Sequence, residues 1–297
     1  MEQGNAPRTK TTVAVISPRF GPVGGAESYA SQLTEQLSLQ EDFEIHVFAN
    51  HWNTKNHDVT FHKVPIIPYP RFLRPLSFAR SVGDQIAARP FHLIHSHDRV
   101  SQMDILSMHG IPHVTWMKKV RQKRLSLFDR TTAWLERKAL KGPRFPMILP
   151  VSGLVKEELQ HFYEIPESKL KVIHPGVSPE RFLALDQERC RHEIRSRYGF
   201  LSSDIVLLFV GLNFEVKRLD LVLRGLAQLV NRGQYGTTTR LLVVGKGNRR
   251  RYLAMAANLG IADRVVFCGI THEIEKYYLA SDLFVMPSSY DTFGLVV

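Results

Sequence analysis

The 297-residue chain reads as an α/β protein built from two doubly wound units in tandem, and three observations lead there. Short apolar runs alternate with amphipathic stretches from end to end, the pattern of parallel strands joined by crossover helices. Glycine-bearing turns follow several of those runs directly, where such folds place their ligands. Between His174 and Ile205 the alternation breaks into P-G-V-S-P-E-R-F and a charged run, Gln187 to Arg197, which reads as a hinge between domains 1–186 and 187–297.

Taken in order, a polar tail leads into a first strand at Val13 to Ser17. Further strands are expected at Glu44 to Ala49, Leu93 to Ser96, Met147 to Val151 and Lys171 to His174 in the first domain. Those of the second are expected at Ile205 to Val210, Arg240 to Val244, Arg264 to Cys268 and Leu283 to Met286. Helices fill the gaps: Ala26, Tyr29, Ala30, Leu33 and Leu37 share one helical face. So do Leu219, Val222, Leu223, Leu226 and Val230, with Gly233 placed to end that helix. With 44% apolar and 23% charged residues, a sizeable core is assured.

Composition excludes several classes. Cys190 and Cys268 follow no CxxC or Cys/His spacing, so neither a disulfide framework nor a zinc site is indicated, and a reducing cytoplasm fits. The N-terminus carries no signal-peptide core and no membrane span. A net charge of +11 favours an anionic partner: nucleic acid, a membrane surface or a phosphorylated substrate. The stretch 116–140 interleaves Lys118, Lys119, Arg121, Lys123, Arg124 and Arg130 with Trp116, Leu125, Leu127, Phe128 and Trp134. It reads either as a basic helix lying on an anionic membrane or as the solvated face of a helix packed on the core. Nucleic-acid binding rests on net charge alone, without a motif, and is not expected.

The strand-end turns supply the candidate site. S-P-R-F-G-P-V-G-G-A-E-S sets Gly24 and Gly25 at a helix start, where backbone N–H groups and the helix dipole suit an anion, although taken alone a tight strand-to-helix turn is the better explanation. I-H-S-H-D places His95 and His97 on one side of an extended segment beside Asp98, with His109 in M-H-G-I-P-H; no full metal-ligand set accompanies them. F-V-G-L-N-F-E-V-K-R puts Lys217 and Arg218 before a helix, positioned to neutralise a diphosphate. Gly245, Lys246 and Gly247 form another strand-end turn, and Gly269 ends a third strand.

In sequence order, V-I-H-P-G-V-S-P-E-R-F, F-V-G-x5-K, L-L-V-V-G-K-G, D-R-V-V-F-C-G-I and Y-Y-L-A-S-D-L-F-V-M-P-S-S-Y-D-T-F-G-L-V-V resemble the retaining glycosyltransferases of family 4. The likeness spans Val13 to Val297 and is nearest to lipopolysaccharide core glucosyltransferases. It implies the GT-B architecture: two Rossmann-like domains facing a cleft, the N-terminal one binding the acceptor and the C-terminal one a nucleotide diphospho-sugar.

Residue by residue, the resemblance implies that Gly24 and Gly25 face the donor phosphates, with Lys217 pairing with the departing diphosphate in place of a metal. No metal or cofactor is expected. Arg218 and Gly245 would border the nucleotide, Gly269 and Ile270 would offer backbone groups to the base, and His97, or His95, would position the donor sugar. Asp291 stands at the first acid of the family's E-x7-E motif, and Phe293, Gly294 and Leu295 supply the backbone that follows it. The second acid would fall at 291 + 8 = 299, past Val297, so the second domain is expected to be incomplete. That raises the alternative of an inactive, nucleotide-sugar-binding remnant. Two departures stand out: Leu212 and Val216 occupy positions where the family often has arginine, and Asp291 replaces glutamate. The expected activity is transfer of a hexose from a UDP-glucose-like donor to a lipid-linked or phosphorylated saccharide, in the cytoplasm, at or near the membrane face.

Overall fold

The computed structural model describes residues 10–22, 24–54, 58–142, 145–177, 179–233 and 238–294. Contacts divide the chain into two compact units, Met1–Gly176 and Val177–Val297.

The first unit runs β1 (Thr11–Ile16), β2 (Arg19–Phe20), α1 (Gly25–Ser38), β3 (Phe43–Ala49), β4 (His51–Trp52), β5 (Thr60–Lys63), α2 (Leu73–Ala87), β6 (Leu93–Ser96), β7 (Ile105–Met108), α3 (His113–Thr115), α4 (Leu127–Lys141), β8 (Met147–Pro150) and α5 (Gly153–Tyr163). Six strands form one sheet in the order β5-β3-β1-β6-β7-β8, every pairing parallel. Counted among themselves these strands lie 3-2-1-4-5-6, the Rossmann order, and the order reverses between β1 and β6. Val13 to Ile16 are buried on both faces of β1, which explains the unbroken apolar run.

Three expectations change here. β5 and β7 were not anticipated: T-F-H-K is a polar edge strand, and I-L-S-M follows β6 too closely to stand out as a separate run. Lys171 to His174 is not a strand. It lies alongside β8, with the N–H of Lys171 donating to the Ile148 carbonyl (3.0 Å) and that of Ile173 to Pro150 (3.0 Å), but only an isolated bridge, Ile148 to Leu170, is formed. The basic stretch 116–140 is not one helix. A π-helical turn, Trp116–Arg121, ends at Gln122 in the left-handed region (φ 48°), and α4 starts afresh from a capping box between Ser126 and Asp129.

The second unit runs α6 (Glu180–Leu183), α7 (Gln187–Arg197), β9 (Ile205–Gly211), α8 (Leu219–Asn231), β10 (Thr239–Gly245), α9 (Arg249–Asn258), β11 (Val265–Gly269), α10 (Ile274–Ala280) and β12 (Leu283–Phe284). Its parallel sheet, β11-β10-β9-β12, has the order 3-2-1-4, so the reversal falls between β9 and β12. Alternate residues of β9 and β10 feed two cores: Leu207, Phe209, Leu241 and Val243 pack against α8 and α9, while Val206, Leu208, Leu242 and Val244 pack toward α7 and α10. Asp282 fixes α7 to the sheet by accepting from Arg191 (2.6 Å), Arg195 (2.7 Å) and the N–H of Val206 (2.7 Å). The unit begins at Val177, within the stretch between His174 and Ile205 read as a hinge but ahead of the boundary expected at Gln187, and α6 is tied to α10 by the Arg181–Glu275 ion pair and by Phe182 against Tyr278. Among the described residues no helix is long and apolar enough to cross a membrane.

Candidate functional site

Polar residues gather at both switch points. In the second unit the turn after β9 carries Lys217, whose Nζ forms an ion pair with Asp291 Oδ2; the two side chains are 17% and 27% exposed. The other oxygen of Asp291 accepts from the N–H of Gly294 (3.1 Å). Ser289 fastens this loop to the turn: its N–H and its hydroxyl both donate to the Val216 carbonyl at 3.0 Å. The turn is held in its own right by Asn213, which accepts from Val216 and Lys217. Residues separated by more than seventy positions thus form one cluster, with Ser288 Oγ buried and without a hydrogen-bond partner among the described residues.

Glycines make this approach possible. A Cβ on Gly211 would sit 2.9 Å from Lys217 Cγ, so the lysine stem lies across the bare end of β9. A Cβ on Gly245 (φ +126°) would come within 1.9 Å of the Gly211 carbonyl oxygen, and one on Gly247 would strike the Phe214 ring at 2.4 Å. Gly245 therefore has a structural duty, letting β9 and β10 close together, beside any contact with a nucleotide.

Arg218 does not share the cluster. It occupies the left-handed N-cap of α8 (φ 57°) and its guanidinium grips Asp220 through Nε and Nη2, both at 2.9 Å. This charge-assisted bond holds the Asp220 carboxyl below its usual range. Gly269 (φ +76°) and Ile270 (61% exposed) stand open at the end of β11, displaced by a register shift against β10 after Val243. Leu295 lies outside the described residues, and Phe293 is half-buried within the loop.

The first unit sets three histidines at its switch point, with Arg19, Glu27 and Asp98 on the cavity wall beside His97. β6 and β7 deliver His95, His97 and His109 together: His97 Nδ1 and His109 Nε2 are 3.1 Å apart, and His95 Nε2 meets Ser107 Oγ at 2.9 Å. Tyr29 of α1 stands edge-on to both His97 and His109. Burial keeps these rings neutral, with repulsion from the neighbouring rings added at His97 and His109. His95 and His109 fall to about 4, and His97 lies well below its ordinary value. His97 Nε2 is buried without a hydrogen-bond partner among the described residues, and the ring lines a cavity of about 300 Å³ with Ser17, Arg19, Glu27 and Asp98.

Gly24 is the extended N-cap of α1 (φ −157°, ψ 177°), and no side-chain cap among the described residues occupies the first-turn N–H groups. Gly25 opens the helix. Sequence reasoning missed Tyr29, Ser107 and Ser289 as supports and Arg19 as a cation on this wall; only Arg19 had a signal, its position just after the first strand. Among the described residues no group of three or more His, Cys, Asp or Glu is arranged to hold a metal ion.

Two parallel doubly wound units with polar residues at each switch point are the parts of a GT-B architecture, with ligand sites expected at the strand ends. Residues 23–181 match Glycosyltransferase Family 4, and residues 204–297 match Glycosyl transferases group 1. The chain belongs to Glycosyltransferase Family 4 and is a glycosyltransferase. It is 24% identical over 293 residues to the lipopolysaccharide glucosyltransferase WaaG of Escherichia coli, covering 96% of this chain and 76% of that protein. It is 28% identical over 319 residues to a D-inositol 3-phosphate glycosyltransferase of Stackebrandtia nassauensis, covering 96% and 71%. The crystal structure of WaaG superposes with a TM-score of 0.83 at 20% identity, covering 96% of this chain and 77% of that one. Anabaena Alr3699/HepE, solved with UDP-glucose, gives 0.70 at 15% identity, covering 96% and 76%.

Proposed function

We propose that this enzyme moves a hexose, with retention of configuration, from a UDP-glucose-like donor to a lipid-linked or phosphorylated saccharide such as lipopolysaccharide core, on the cytoplasmic side of the membrane. The observation that carries the reading is the Lys217–Asp291 cluster at the second switch point. Donor binding exchanges the internal pair for contacts with ligand: Lys217 meets the diphosphate, while Asp291 and the N–H of Gly294 hold sugar hydroxyls. Gly24 and Gly25 add backbone donors to the phosphates, and Gly269 and Ile270 offer backbone groups to the base. Arg218, engaged with Asp220, has at most an indirect part.

The bond from the anomeric carbon to the phosphate oxygen breaks as the bond to the acceptor oxygen forms, and the acceptor proton passes to the departing phosphate. Negative charge grows on the diphosphate, where the ammonium of Lys217 stabilises it in the manner of an oxyanion hole and takes the part a divalent cation would play. His97, uncharged near neutral pH, positions the hexose through Nε2. An anionic membrane is a further partner, supported by Leu127 and Trp134, 63% and 53% exposed and one heptad apart on α4, beside Arg130 and Lys138.

The test is a panel of UDP-sugars with a core-saccharide acceptor, read by product NMR, with and without chelator. An α-linked product from UDP-glucose that persists in chelator supports the reading. A β-linked product, or activity abolished by chelation, contradicts it, and donor binding without turnover points to a nucleotide-sugar-binding protein instead.

A further inference from the structure

Apart from the two switch points, the first unit holds a larger cavity of about 550 Å³ between the start of α2, the π-helical turn and the start of α4. Its walls include three cations, Arg71, Arg121 and Lys123, none of which has a carboxylate partner among the described residues. Its one acid is Asp129, and that carboxylate already accepts from His113 (3.0 Å) and from the N–H and hydroxyl of Ser126 (2.9 and 2.6 Å). The apolar part of the surface is mainly aromatic, Phe72, Trp116 and Phe128 beside Met117 and Leu127, with the Arg71 guanidinium set 5.4 Å from the Phe128 ring. Uncompensated cations beside aromatic faces suit a phosphorylated sugar, whose phosphate takes the guanidinium fork and whose C–H face stacks on a ring.

The place is right for an acceptor. His109, which touches His97, and His113, which lines the cavity, are four residues apart, a reach of at most about 14 Å even for extended chain. The two walls are also braced together through Glu136, which is fully buried. It accepts from Arg99 Nε (2.7 Å), the residue after Asp98, and from the N–H of His113 (2.8 Å) and the hydroxyl of Tyr163 (2.9 Å).

We propose that this cavity binds a phosphate group of the saccharide acceptor through Arg71, Arg121 and Lys123, with Trp116 against the sugar. The term acceptor rests on the transferase reading above; the phosphate site does not. The ligand is a phosphomonoester or phosphodiester on a saccharide, and the basic stretch around it serves a pocket before it serves a flat surface.

The test is titration of the full chain with glucose 6-phosphate, with glucose, and with vesicles of phosphatidylcholine holding about 30% phosphatidylglycerol. Wild type is compared with R121A/K123A and with K118A/R124A, which removes the same charge from outside the cavity. Glucose 6-phosphate is expected to bind wild type, to weaken at least about tenfold in R121A/K123A, and to change less than about twofold in the control. If the first variant melts lower than wild type, R121Q/K123Q replaces it. Equal losses in the two variants, no preference for glucose 6-phosphate over glucose, or vesicle binding without sugar-phosphate binding would each overturn the proposal. UDP titrated into the same samples separates the two claims: wild type that binds glucose 6-phosphate but not UDP sinks the donor assignment and leaves this site standing.

Discussion

At the first switch point three imidazoles are kept uncharged by burial, whereas at the second an ammonium and a carboxylate face each other partly open to solvent. The two units share the parallel 3-2-1-4 strand order, to which the first adds two further strands, and they differ in what their strand ends carry. A diphosphate brings charge that must be met, which suits Lys217. A hexose brings hydroxyls that a neutral ring can hold without the expense of desolvating an ion. Topology fixes where a ligand sits; the electrostatics of a handful of side chains fix which one.

The strongest way to break this contrast is to remove the charge. Lys217→Ala is expected to lower kcat by about 10²–10³-fold, the range for losing one oxyanion-type donor, while melting within a few degrees of wild type. If His97→Ala costs as much in donor affinity as Lys217→Ala, the division between the units fails. Next in size is Gly245→Ala. The added Cβ meets backbone rather than a movable side chain, at a φ that L-residues avoid, so thermal unfolding should show a loss of more than about 3 kcal/mol.

Acid sharpens the contrast from the other side. His95 and His109 titrate near 4 when folded and near 6.5 when unfolded, so the unfolded chain binds more protons between these values. The stability that neutral rings confer is complete above about pH 6.5 and is lost as pH falls toward and through 4, by about 2 kcal/mol per ring at pH 5 before coupling between them. Urea melts at pH 7 and pH 5 should show the first unit weakening in acid, and His95→Gln should flatten that dependence. The smallest effect is assigned to Arg218→Ala. With its guanidinium on Asp220, donor affinity should move less than about threefold by calorimetry.

The same residues show what the sequence disclosed. β1, β9 and β10 were legible because strands buried on both faces must be apolar throughout, and α8 because its face repeats at 3.6 residues and ends at Gly233 (φ +69°). β5 and β7 were hidden by polar residues on a sheet edge and by shortness. Lys217 and Asp291 were each legible as types at strand ends, but their pairing was not, since it depends on a fold that brings distant turns together. Arg218 shows the opposite limit. Adjacent to Lys217 in sequence, it points to its own helix because the left-handed N-cap turns the chain between them. The neutrality of His97 was invisible as well, because burial and two neighbouring rings set it, and neither can be read from H-S-H.

The most direct test of the account is calorimetric titration of UDP-glucose into wild type, Lys217→Met and His97→Gln. Lys217→Met is expected to lose at least about tenfold in affinity, while His97→Gln is expected to bind within about twofold of wild type and to lose transfer rate instead. Unchanged affinity in Lys217→Met, or an equal loss in both variants, would contradict the claim that the charged switch point of the second unit is where the donor diphosphate is held.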